Sequence, residues 1–115
     1  MSETMKPELF EIATDKGPEF VAAYSIGDLR VHLRVEGRGY AITHAATGMC
    51  AIPYGINKRE VAFEVAKVID DAADWSALRL AEYGKPEWGD KKEEYMKAAK
   101  AGMDMAEELD AICMD

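Results

Sequence analysis

Residues 29–36 read LRVHLRVE. Leu29, Val31, Leu33 and Val35 alternate with Arg30, His32, Arg34 and Glu36. A strand with that pattern has one apolar and one polar face, which marks an antiparallel sheet resting one side on a core. Short runs of similar character lie on either side: FEIA (10–13), FVAAYSI (20–26), YAITH (40–44) and MCAI (49–52). Turn-forming clusters separate them, TDKGPE, Gly27-Asp28, EGRG and AATG. Connections this short favour sequential neighbours, so residues 9–52 are expected to form a four- or five-stranded antiparallel meander.

At GINKREV (55–61) the period becomes helical. Asn57 reads as an N-cap answered by Glu60, with Ile56 and Val61 placed as a hydrophobic staple. Val61, Val65, Val68, Ala72 and Trp75 make one stripe, assigned to the sheet. Ala62, Ala66, Ile69 and Ala73 make a second, assigned to another helix. The register slips near Asp74-Trp75-Ser76, and a short further segment is expected to stop at Tyr83 before Gly84 and Pro86. GDKKEEYM (89–96) opens the last helix, with Asp90 as cap and Glu93 behind it. Its buried stripe reads Tyr95, Ala99, Gly102, Ala106, Leu109 and Cys113. A glycine inside a helix costs about 1 kcal/mol against alanine, so Gly102 is read as permitting close helix approach. The expectation is an α+β fold in one domain, 1–115, with two to three C-terminal helices on one face of the sheet.

The chain has 115 residues and a net charge of −8, unevenly placed. Residues 1–56 carry five Lys/Arg against seven Asp/Glu, whereas residues 57–115 carry nine against fifteen, with no basic residue after Lys100. That balance disfavours general binding to nucleic acid. The start has no cationic region followed by an apolar run, and no apolar stretch approaches the roughly 20 residues of a membrane span. Two distant cysteines, Cys50 and Cys113, suit a reducing compartment, so a cytoplasmic location is expected.

THAATGMC (43–50) is the stretch closest to thiol chemistry. A three-residue turn Ala46-Thr47-Gly48, with Gly48 left-handed, sets His44 opposite Cys50, where an imidazole can activate a thiolate. The same register puts Tyr40, Ile42 and Ile52 on that face, which makes the pair a core pair, and a four-residue turn breaks it. The hairpin reading is preferred, with Cys50 and Cys113 as structural residues. His32, His44 and the cysteines lack the close spacing of a metal site. Asp70, Asp71 and Asp74 read as a solvated acidic face, and GRG (37–39) opens no helix, so neither metal nor cofactor is implied.

Three surfaces remain. Arg30, His32 and Arg34, with Arg38 beyond, form a basic sheet face that suits a nucleic-acid backbone. Phe63 lies on the polar side of its helix, as a candidate apolar contact for a partner. Asp104, Glu107, Glu108 and Asp110 crowd the end of the last helix, where negative charge opposes the macrodipole. The leading expectation is a small acidic, non-catalytic protein-binding module, an inhibitor or adaptor that docks on a basic surface, such as the nucleic-acid groove of a larger machine. Small phage-encoded inhibitors of bacterial defence, the anti-CRISPR type included, have this general character, a similarity of style that no motif carries. The alternatives are a nucleic-acid-binding domain using Arg30, His32, Arg34 and Arg38, and a thiol-dependent enzyme using Cys50 and His44. Self-association is compatible with all three.

Overall fold

The computed structural model describes residues 6–14, 17–34, 38–48, 50–52, 54–80, 86–87 and 91–112. Four antiparallel strands run in sequence order, β1 (Glu8–Thr14), β2 (Gly17–Ile26), β3 (Leu29–Leu33) and β4 (Tyr40–His44). Two helices follow, α1 (Arg59–Ala72) and α2 (Lys92–Glu108), making an α+β fold. Directly opposed residues share a face. Tyr24↔Val31↔Ile42 and Ile26↔Leu29↔His44 therefore line the side under α1, which packs across β2, β3 and β4. Leu29, Val31, Ile42, Ala62, Val65, Ala66 and Ile69 are fully buried between the layers. Each large aliphatic side chain placed there contributes about 1.5–3 kcal/mol.

Of MCAI, the described residues 50–52 form no regular fifth strand, and Met49 lies outside the described residues. The Thr43–Cys50 bridge and the bond from the Ala51 amide to the Ile42 carbonyl (2.7 Å) tie the segment to β4. Pro53, which has no N–H to give a ladder, follows directly in sequence. Further on, Ile56 bridges Tyr40 on one side and Ile112 on the other, so the chain end is fastened beside the β4 edge. That role replaces the expected cap: α1 starts after Lys58 with no side-chain cap bond, and the Asn57 amide donates instead to the Ala111 carbonyl (2.7 Å). Helix α2 starts after Lys91, likewise without a side-chain cap, and Asp90 lies outside the described residues.

The segment after α1 differs from the helical expectation. Residues Trp75–Ala77 make one 3-10 turn, and β5 (Arg79–Leu80) then pairs with β6 (Pro86–Glu87). Tyr83 and Gly84 lie outside the described residues. The division of the α1 stripes also changes. A Cβ built on Gly102 would meet the Ile69 side chain and, at 3.1 Å, Val65 Cγ1. Val65 and Ile69, one turn apart, thus pack against α2 together. In α2 the buried positions are Tyr95, Ala98, Gly102 and Ala106, while Leu109 falls past the helix end and is exposed. No helix among the described residues is long and apolar enough to cross a membrane.

Candidate functional site

The expected thiol pair comes apart at the β4 turn. Cys50 bridges Thr43, so the loop holds four residues, 45–48, closed by the Gly48 amide on the His44 carbonyl (2.8 Å). Gly48 has the left-handed φ of 73°, as expected, but ends a longer turn. Cys50 is exposed, contrary to its expected apolar setting, and Cys113 lies outside the described residues. Both ring nitrogens of His44 are engaged: Nε2 donates to the Trp75 carbonyl (2.7 Å) and Nδ1 pairs with Thr47 Oγ1 (2.8 Å). An imidazole so held has no lone pair aimed at a thiol.

His44 instead belongs to an aromatic stack. Its ring lies 5.6 Å from that of Trp75, which lies 4.8 Å from that of Tyr95. The Trp75 indole N–H donates to the Ile69 carbonyl near the α1 C-terminus (2.7 Å), and the Tyr95 hydroxyl donates to the Asp74 carbonyl (2.7 Å). The indole thus satisfies a carbonyl that the helix end leaves bare, and the Tyr95 hydroxyl shares the Asp74 carbonyl with the Ala77 amide. Beside them is a cleft of about 170 Å³ lined by Cys50, Leu78, Met96 and Ala99 as well as the three rings. It is smaller than a typical small-molecule pocket of about 300 Å³ or more.

The basic sheet face is only partly as expected. Arg30 is half-buried and its guanidinium donates to the Gly27 (3.0 Å) and Leu29 (2.9 Å) carbonyls around the β2–β3 turn. His32 does not project into solvent: it is 3% exposed, opposite Ala23 and Ala41, with the Phe10 ring 6.3 Å away. Its Nδ1–H donates to the Leu33 carbonyl (2.8 Å) and its Nε2 pairs with the Thr43 hydroxyl (2.9 Å). Arg34 is half-buried and Arg38 exposed. The small residues Ala23, Ala41 and Thr43 beside His32 let the ring lie down on the sheet, a cross-strand effect that alternation along one strand does not reveal.

Burial holds the His32 pKa below its ordinary 6.5. The unfolded chain therefore takes up a proton that the folded chain resists, and folding stability is full above about pH 6.5 and declines as pH falls toward the lower folded value. Denaturant unfolding at about pH 7.5 and 5.5 should show this decline in the wild type and a smaller one in His32→Gln.

Phe63 is half-buried, packed edge-on against Tyr24 of β2 at 5.1 Å, with the Arg59 guanidinium 5.9 Å from its ring centroid. The sheet thus covers part of the ring through Tyr24. Among the acidic aspartates of α1, Asp70 accepts the Asp28 amide (3.3 Å) and so ties the helix to the β2–β3 turn. No group of three or more His, Cys, Asp or Glu among the described residues is placed to hold a metal ion.

At the end of α2, Asp104, Glu107, Glu108 and Asp110 are all exposed. Asp104 pairs with Lys100 at 3.0 Å, an i,i+4 surface pair. The helix is closed by backbone alone: the Ala111 amide donates to the Ala106 carbonyl (3.0 Å) and the Asp110 amide to the Glu107 carbonyl (3.1 Å). This double closure needs a left-handed residue, and Asp110 supplies it at φ 50°, where glycine is favoured. Asp110→Gly should therefore raise stability by about 1 kcal/mol, since it relieves the side-chain penalty and a charge against the macrodipole; thermal unfolding measures it. Tyr54, which sequence reading passed over, lies beside this group. Its hydroxyl donates to the Met103 carbonyl (3.2 Å), and burial, then Glu107, then Asp104 push its pKa up.

Comparison with known proteins finds no matching family model, no similar curated protein and no similar solved structure.

Proposed function

We propose that the chain is a non-catalytic protein-binding module whose acidic α2 end docks on a basic surface of a larger protein. The observation that carries this reading is that backbone hydrogen bonds alone close α2, so the exposed carboxylates of Glu107, Glu108 and Asp110 take no part in ending the helix. Charge that folding does not use, and that the helix dipole opposes, is expected where binding requires it. Tyr54 adds a half-buried aromatic beside Glu107 and Asp104, the kind of amphipathic side chain that anchors interfaces. A basic surface built for phosphates, such as a nucleic-acid groove, has the complementary charge, and the module then acts as an inhibitor by occupying it.

The test combines Asp104→Asn, Glu107→Gln and Glu108→Gln. Stability should be unchanged or slightly raised, because only the exposed Lys100–Asp104 pair is lost, worth about 0.3–0.5 kcal/mol. Capture of basic proteins from the native host should fall, association with the captured partner should slow, and added salt should slow the wild type in the same way. DNA should compete if the groove reading holds. A triple variant that binds as fast as the wild type across a salt series excludes the acidic face.

A further inference from the structure

The two edges of the sheet are treated differently. The β4 edge is covered by Cys50, Ile56 and, beyond it, Ile112. On the other side β1 is the terminal strand, and among the described residues nothing pairs with its outer edge. The β1–β2 hairpin also reaches past the helices. Leu9 is 79% exposed and Phe20 65%, both on the face that α1 covers further along the sheet. A long regular edge with exposed apolar side chains is a template for another strand, and a hairpin without cover is marginally stable by itself.

We infer that this edge pairs with the same edge of a second copy, β1 against β1 in antiparallel register centred on Phe10, giving a continuous eight-stranded sheet. The register follows from the backbone. The two-residue connections close on Thr14↔Gly17 and Ile26↔Leu29, which makes those pairs hydrogen-bonded. Alternation then turns the amides and carbonyls of Glu8, Phe10, Ile12 and Thr14 toward β2, and those of Leu9, Glu11 and Ala13 toward the open edge. Centring the two-fold axis on Phe10 sets Leu9 against Glu11 of the second copy as hydrogen-bonded pairs. Phe10 then meets Phe10 of the second copy in the closer, non-hydrogen-bonded position.

Side chains select this register among the three that overlap five or more residues of β1. Val21 is opposite Phe10 within the hairpin, so the central row reads Val21, Phe10, Phe10, Val21 across both copies, apolar throughout. Centring on Glu11 would set two carboxylates directly opposite, which is destabilising. Centring on Ile12 would make the central row Glu19, Ile12, Ile12, Glu19, with a carboxylate beside each isoleucine in place of valine. The hairpin is acidic, residues 8–26 carrying one Lys against four Asp/Glu, but the register centred on Phe10 sets no two carboxylates of β1 directly opposite one another. The contact lies along the strand edge and leaves the acidic end of α2 available.

Sedimentation velocity over a concentration series should show a 12.7 kDa species giving way to one of twice that mass. Glu11→Pro removes an amide that makes no bond within the sheet, and one hydrogen bond from each copy in the dimer. It should weaken the dimer by at least about tenfold while far-ultraviolet circular dichroism is retained. In a background with Cys50→Ser and Cys113→Ser, Phe10→Cys should oxidise to a covalent dimer and Leu9→Cys should not, because only the Phe10 pair has the separation a disulfide spans. A wild type that stays at 12.7 kDa throughout overturns the inference, whether or not a strand from another protein then adds to the edge. So does a dimer that Glu11→Pro leaves unchanged, or one that crosslinks through Leu9→Cys in place of Phe10→Cys.

Discussion

Trp75→Ala is expected to destabilise the fold by about 3–5 kcal/mol, the range for truncating a large buried aromatic. Trp75 is buried, and its ring is held between His44 and Tyr95. Truncation opens a cavity continuous with the adjoining 170 Å³ cleft, so water enters rather than the walls closing. It also strips the Ile69 carbonyl of its indole partner. Trp75→Phe separates the two contributions. The ring remains while the N–H is lost, and the cost should fall to about 1–2 kcal/mol, that of one buried acceptor left unpaired. Equilibrium denaturation of both variants measures the difference. If Trp75→Phe cost as much as Trp75→Ala, the indole hydrogen bond rather than packing would hold this corner.

That corner was only half legible in the sequence. The break in helical period at Asp74-Trp75-Ser76 showed that α1 could not continue. What the chain does next depends on contacts with residues far away. The Trp75 indole N–H donates to a carbonyl six residues back, the Trp75 carbonyl accepts a hydrogen bond from His44, and the Asp74 carbonyl accepts one from Tyr95. None of these partners has a spacing that a periodicity reading detects. The meander, by contrast, was legible because alternation in LRVHLRVE and two-residue turns are local properties, and local rules sufficed to order four strands. The Asn57 cap failed for the opposite reason. Asn57 has the side chain for the task, but its segment is drawn into the bridge that Ile56 makes with Tyr40 and Ile112.

The candidate surfaces divide along the same line. Exposure of Asp104, Glu107 and Glu108 follows from helical angles alone. The burial of His32 does not, since it depends on Ala23 and Ala41 lying opposite it on two neighbouring strands. Reading β3 by itself made His32 part of a wet basic stripe; the sheet makes it a buried, doubly hydrogen-bonded residue on the face away from α1. Tyr54 was missed because it falls in an irregular segment, and it acquires its acidic neighbours only when α2 packs over it.

The closeness of the two helices yields the second large effect, at Gly102. An alanine normally improves a helix over glycine by about 1 kcal/mol. Here a Cβ would enter the space held by the Ile69 side chain, with Val65 Cγ1 at 3.1 Å. Ile69 is β-branched and fully buried in a helix, which fixes χ1 and with it the position of Cγ1, and Val65 beside it is equally fixed. Overpacking of this kind costs about 1–3 kcal/mol. Gly102→Ala should therefore be net destabilising, by about 1–2 kcal/mol, with the propensity gain reducing but not reversing the loss. Enlarging the side chain further, Gly102→Val, should approach or exceed about 3 kcal/mol, because the branched carbons must push the helices apart. The compensating change is specific. Ile69→Ala alone should destabilise by about 2–5 kcal/mol through a cavity, whereas Gly102→Ala combined with Ile69→Val should cost less than the two single changes added together. Additive costs in that cycle, or a Gly102→Ala protein more stable than the wild type, would show that α1 and α2 do not meet at this point.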